Sequence, residues 1–128
     1  MTIMGMTDNS QTAAVIAQHI QALEAGNVDT ILKNFTEQSV LIANLAPAPA
    51  QGLDAIRAQF TEAVKLFTPG VDKSFKITQQ EVQNQFGYIV WSAPPTIQSA
   101  TDTFVVREDG KILFQTSTIF LGQAARPS

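Results

Sequence analysis

From Thr96 the chain alternates polar and apolar residues as far as Arg107, turns at Asp109-Gly110, and alternates again from Ile112 to Phe120. A period of two is that of a β-strand, and Asp-Gly is a pair that tight hairpin turns favour. Two long antiparallel strands therefore lie side by side near the C-terminus. Asp102 stands in the first of them, on the same face as Ala100, Phe104 and Val106. A carboxylate on an apolar face costs free energy unless it is paired, protonated or solvated in a cavity. Asp102 is thus the first candidate for chemistry.

Upstream, the segments Phe75–Asn84 and Tyr88–Ala93 read as two further strands, and the first half of the chain reads as helical. In 11–25, Ile16, Ile20 and Leu23 share one side while Gln18, Gln21 and Glu24 turn away. Gly26 stops this helix, and Asn27 caps a short second one through Val28, Ile31, Leu32 and Phe35. Val40-Leu41-Ile42 is a short strand, and residues 44–51, with Pro47 and Pro49, form an irregular loop. A third helix runs from Leu53 to Phe67 and ends at Thr68-Pro69-Gly70. Helices followed by long strands predict an α+β fold with the helices gathered on one face of the sheet. Residues 1–10 are expected as a flexible lead-in, 11–122 as one domain and 123–128 as a tail.

A chain of 128 residues makes one domain with a single core. Only 15% of the residues are charged, few for a monomer, so part of the surface is expected to be covered. The last strand agrees: Ile112, Phe114 and Phe120 fall on one face, Leu113 and Ile119 on the other, and the helices cover only one face. The expectation is a homodimer through the outer face of the sheet.

Net charge is −3 and no basic run occurs, which argues against nucleic acid. No apolar stretch approaches membrane-spanning length, and Met1 to Ser10 do not have the pattern of a signal peptide. The absence of cysteine removes thiolate nucleophiles and disulfides and fits a cytoplasmic setting. One histidine with scattered carboxylates gives no metal site, and the singly dispersed glycines give no phosphate loop, so no cofactor is expected.

Four segments carry a family likeness: Ala22-Leu23-Glu24-Ala25-Gly26-Asn27, Gly52-Leu53-Asp54-Ala55-Ile56-Arg57, Asp102-Thr103-Phe104 and Gly110-Lys111-Ile112. Their order and spacing, from about Val15 to Leu121, resemble the NTF2-like superfamily, and within it the SnoaL-like proteins and ketosteroid isomerases. The resemblance implies an NTF2-like (cystatin-like) cone, in which three N-terminal helices pack in a strongly curved antiparallel sheet around an apolar pocket. It also implies that Asp102 sits in that pocket, where the isomerases keep a protonated aspartate as a hydrogen-bond donor. His19 falls where those enzymes carry a tyrosine. Their carboxylate base, however, aligns with Ala43, next to Asn44, and neither abstracts a proton. The likeness therefore implies a pocket for a small apolar molecule, of carbonyl type, without implying steroid isomerisation.

His19 is singled out without any family. At about 100° per residue it lies among Val15, Ile16, Ile20 and Leu23, in the apolar stripe of the first helix. A carboxylate bonded to one imidazole nitrogen raises basicity at the other, so a His19–Asp102 pair would suit cofactor-free isomerisation, cyclisation, elimination or hydration. The same placement also fits a hydrogen-bonded core histidine with a structural partner, or a non-catalytic binding or dimerisation module. Gln115, on the neighbouring strand, is expected beside Asp102, Asn44 at the pocket mouth and Phe104 in the lining. Tyr88 and Trp91 lie on opposite faces of one strand, and Tyr88 is expected to reach the cavity.

Overall fold

In the computed structural model, which describes residues 7–66 and 75–122, the first helix is defined by its two ends. Asp8 caps α1 (Asn9–Ala25) by accepting from the Gln11 amide, and Gly26 ends it in the left-handed conformation, φ 68°. Asn27 then caps α2 (Val28–Leu32) by accepting from the Thr30 amide. The expected lead-in is corrected at its inner end: Thr7 is buried and its hydroxyl donates to the Val106 carbonyl at 2.7 Å, and Asn9 is already helical. Residues 1–6 lie outside the described residues.

β1 (Val40–Ala43) follows, and the loop after it, expected to be irregular through residue 51, is corrected at its end by the short strand β2 (Ala50–Gln51). α3 (Leu53–Ala63) continues as one 3-10 turn to Leu66, so the three helices are not consecutive: β1 and β2 separate the second from the third. The Glu37 carboxylate caps α3 from outside by accepting from the Leu53 amide at 2.9 Å. Phe67 and the stop at Thr68-Pro69-Gly70 lie outside the described residues.

The remaining strands are β3 (Lys76–Gln83), β4 (Phe86–Ala93), β5 (Ile97–Val106) and β6 (Ile112–Leu121). They form one six-stranded sheet in the order β2-β1-β6-β5-β4-β3. All neighbours are antiparallel except β1 and β6, which pair in parallel, Leu41 opposite Gln115. The expected all-antiparallel sheet is corrected at that one pair. Register shifts interrupt the β3–β4, β4–β5 and β5–β6 ladders, and such bulges bend a sheet around what it covers.

The inner face carries the core. Ala100, Asp102, Phe104 and Val106 are buried, while Thr101, Thr103 and Val105 between them are half-buried on the other side. One shift changes the face of a residue. Val106 pairs with Ile112 but Val105 with Phe114, which leaves Leu113 as the extra residue. Ile112 therefore turns inward with Gln115, where strict alternation had placed it beside Phe114 and Phe120. Helix and sheet meet closely at Gly87, where an added Cβ would lie 2.5 Å from Ile16 Cδ1. Ile16, Ile31, Ile56 and Ile89 are fully buried between the layers, each contributing about 1.5–3 kcal/mol.

Candidate functional site

Asp102 sits in mid-β5, opposite Ile89 of β4 and Ser117 of β6, so three strands supply its neighbours. Trp91 Nε1 donates to Oδ1 at 2.9 Å, Ser117 Oγ donates to the same oxygen at 3.2 Å, and Gln115 Nε2 donates to Oδ2 at 2.8 Å. An ionised carboxylate has about four acceptor positions, so roughly one stays open. Asp102 is only 3% exposed. That burial pushes its pKa up to about 6, against the downward pull of the bonds from Trp91, Gln115 and Ser117.

His19 projects from the buried stripe of α1 and is fully enclosed. The edges and faces of Phe35, Phe60 and Phe104 surround its ring at centroid distances of 5.9, 5.5 and 5.7 Å. Burial in this apolar cage pushes its pKa down to about 4, so the imidazole is neutral at physiological pH. Its Nε2 lies 3.3 Å from Gln115 Nε2, and its Nδ1 has no partner. The expected direct His19–Asp102 pair is corrected here. Gln115 stands between them, its one amide nitrogen touching both.

Asp102, Gln115, His19 and Ser117 form the polar end of a cavity of about 510 Å³. Leu41, Ala43, Phe60, Ala63, Leu66 and Ile119 make its apolar walls, and Leu45 to Ala48 form a lip. Gln59 of α3 fastens that lip by donating to the Ala48 carbonyl at 2.8 Å. By size and lining the space would suit a small molecule that is apolar along most of its length and polar at one end.

The other expected residues are placed differently. Phe104 packs behind His19, away from the cavity. Tyr88 is corrected to the outer face: the Gly87, Ile89 and Trp91 side of β4 is buried, and Tyr88 pairs with Thr103 on the other side. Asn44 is exposed, its amide spent on the Ile119 main chain, donating to the carbonyl at 2.9 Å and accepting from the N–H at 2.8 Å. Trp91 and Ser117 were missed. Gly87 held the signal for Trp91, because a glycine in a strand marks close approach and shares its face with residue 91. Among the described residues no three His, Asp or Glu side chains converge as metal ligands.

A bent six-stranded sheet packed over helices, with an apolar cavity between them, is the NTF2-like fold, and solved structures agree. A SnoaL-like protein from Burkholderia thailandensis E264 is similar at a TM-score of 0.70 and 14% identity, over 87% of this chain and 96% of that one. An NTF2-like protein from Mesorhizobium loti gives 0.70 at 15% identity, over 88% and 93%. The epoxide hydrolase/cyclase-like enzyme SalBIII gives 0.70 at 20% identity, over 92% and 95%. The SnoaL-like domain family matches residues 16–114, and the chain belongs to that family. No curated protein matches it by sequence. No helix among the described residues is long and apolar enough to cross a membrane.

Proposed function

We propose that this protein binds a small apolar molecule bearing a carbonyl or a leaving group and moves a proton on it without a cofactor, Asp102 being the transferring group. One observation carries the reading: a carboxylate, the single buried one among the described residues, its pKa pushed up to about 6, with an open acceptor position at the polar end of an apolar cavity. A group titrating near neutrality serves as base in one step and acid in the next. His19, neutral and caged, acts as a hydrogen-bonding support and not as the base. Isomerisation, cyclisation, and elimination or hydration all fit. Cyclisation gains some support from SalBIII, whose structure was described for its role in pyran ring formation in the polyether salinomycin.

A second reading, a non-catalytic binder, is favoured by Ala43. It lines the cavity where a second carboxylate would stand. Glu62 also borders the cavity, but its carboxylate is exposed and paired with Lys65 at 2.7 Å. A thermal-shift panel of planar apolar carbonyl compounds finds ligands for either reading. A ligand at 100 times its Kd adds about 2.7 kcal/mol. Turnover of the hits by the wild type, lost in Asp102→Asn, is the expected result. Equal turnover in both would end the proton-transfer reading, and binding with no turnover in either selects the second.

The outer sheet face supports a homodimer: Phe86, Phe120 and Ile42 stand on it, 53%, 54% and 42% exposed. Light scattering at micromolar concentration is expected to give twice the chain mass, and a monomer mass would refute the pairing.

A further inference from the structure

We infer that Gln115 is a positioning residue that ties the tautomer of His19 to the protonation of Asp102, by turning its amide over between two hydrogen-bonded arrangements. This deepens the reading of Asp102 as the proton-transferring group and rests on that reading for its catalytic meaning. The tautomer itself belongs to the free protein.

The first arrangement is the one in the structure. An ionised carboxylate only accepts, so the Gln115 atom 2.8 Å from Asp102 Oδ2 is the NH₂ nitrogen. The same nitrogen lies 3.3 Å from His19 Nε2, which must therefore accept, and the neutral ring carries its proton on Nδ1. Two buried atoms are left without partners, His19 Nδ1 and Gln115 Oε1.

The second arrangement follows when Asp102 holds a proton. Its carboxyl then presents an O–H toward Gln115, and an amide turned over presents Oε1 to receive it. That oxygen faces His19 Nε2 on its other side and accepts from it only if the ring proton is on Nε2. One proton has been taken up at Asp102. The imidazole still carries one, moved from Nδ1 to Nε2 by release and recapture when the enclosed site transiently opens to water. The unpartnered positions are again the far end of the amide and Nδ1. Because both arrangements strand the same two positions, burial does not choose between them. The proton on Asp102 does.

One neighbour competes for the proton: Ser117 Oγ, 3.2 Å from Oδ1, can accept an O–H placed there, which would leave the amide and the tautomer as they are, whereas Trp91 Nε1 only donates. Among the described residues the ionisable side chains bordering the cavity are His19 from α1, Asp102 from β5 and Glu62 from α3, and Glu62 is exposed and paired. β1 and β6 contribute no ionisable group to it, and the β4 residue at the site is Trp91. The three rings pressing on His19 are uncharged. In a reaction cycle, an Asp102 that has just taken a proton from a ligand would be held by Gln115 Oε1 until it gives the proton back.

A lone histidine makes the test direct. Long-range ¹H–¹⁵N correlations of the labelled imidazole separate its two neutral tautomers from the cation. Between about pH 8 and about pH 5, the range over which a carboxyl raised to about 6 titrates, the ring should pass from mostly Nδ1–H to mostly Nε2–H while staying neutral. The change should track the Asp102 carboxyl carbon. A single tautomer throughout, or a ring that becomes charged in this range, overturns the inference. Gln115→Met, which removes both amide groups, should leave the tautomer populations independent of pH; a switch persisting in that variant also overturns it. The wild-type measurement decides the matter even if the variant does not fold. Neither experiment involves a ligand, so the inference and the proposed activity stand or fall separately.

Discussion

The polar end of the cavity and its lip are built by opposite means. At the polar end, Trp91, Asp102, Gln115 and Ser117 come from three adjacent strands and interlock at 2.8–3.2 Å, with His19 joining through Gln115. The lip, Leu45 to Ala48, has no regular structure, leaves Leu45 49% exposed, and is tied to α3 by the single donation from Gln59. The contrast separates two tasks. Strand register fixes where the chemical group stands, to within a hydrogen bond. Under the proposed function, the loop would govern what shape of guest passes.

Replacing Asp102 should show the contrast at its greatest. On any substrate found in the ligand panel, Asp102→Asn should lower kcat/KM by about 10²–10⁴-fold, the usual weight of a general acid–base group. A smaller loss than that of any lip variant would reverse the assignment of tasks.

Next comes an opposition between the two buried ionisable groups among the described residues. Asp102 is raised from 3.8 to about 6, so the native state holds more protons than the unfolded chain between those values, and its contribution to stability falls as pH rises through them. His19 is lowered from 6.5 to about 4, so the native state holds fewer protons, and its contribution rises with pH over nearly the same window. In the wild type the two slopes offset each other. Asp102→Asn should expose the histidine slope, stability rising with pH by up to about 1.4 kcal/mol per unit, and His19→Gln the reverse. Urea unfolding at about pH 4.5, 5.5 and 6.5 measures both. Slopes of the same sign in the two variants would show that the windows are wrongly assigned.

Trp91→Phe keeps the ring packing but removes a donor to a buried carboxylate. The expected cost is about 1.5–3 kcal/mol at neutral pH, with the Asp102 pKa moving further up. Carboxyl-carbon NMR and urea unfolding report the two effects, and an unmoved pKa would mean that Trp91 is packing alone. The smallest effect is expected at the lip. Gln59→Ala should change global stability by no more than about 1 kcal/mol while quickening ligand release, which stopped-flow dissociation would follow. If it destabilises the fold as much as Trp91→Phe does, the lip is as structural as the polar end and the contrast fails.

What the sequence made legible was local. Gly26 and Asn27 announce the end of one helix and the start of the next, and alternation through 100–106 puts Asp102 on the buried face without reference to any partner strand. The misses depended on relations between elements distant in sequence. Parity alone left Tyr88 and Trp91 as equals, and the choice turned on which face of β4 meets α1. The bulge at Leu113 changes the face of Ile112 without any mark in the hydrophobic period. That Gln115 comes between His19 and Asp102 follows from its pairing opposite Phe104, one step along the ladder, and register is not written in either strand by itself.

The two hydrogen bonds from the Asn44 side chain to Ile119 have a consequence for how this scaffold can vary. They stand in for the next residue of β1, so the edge of β6 stays paired at the point where the chain leaves the sheet. The segment from Leu45 to Pro49 is thereby a replaceable cassette, anchored by Asn44 on one side and by β2 on the other. Its length and side chains can change by descent or by design while strand pairing is preserved. The rim of the cavity can then be reshaped while the buried cluster around Asp102 stays as it is.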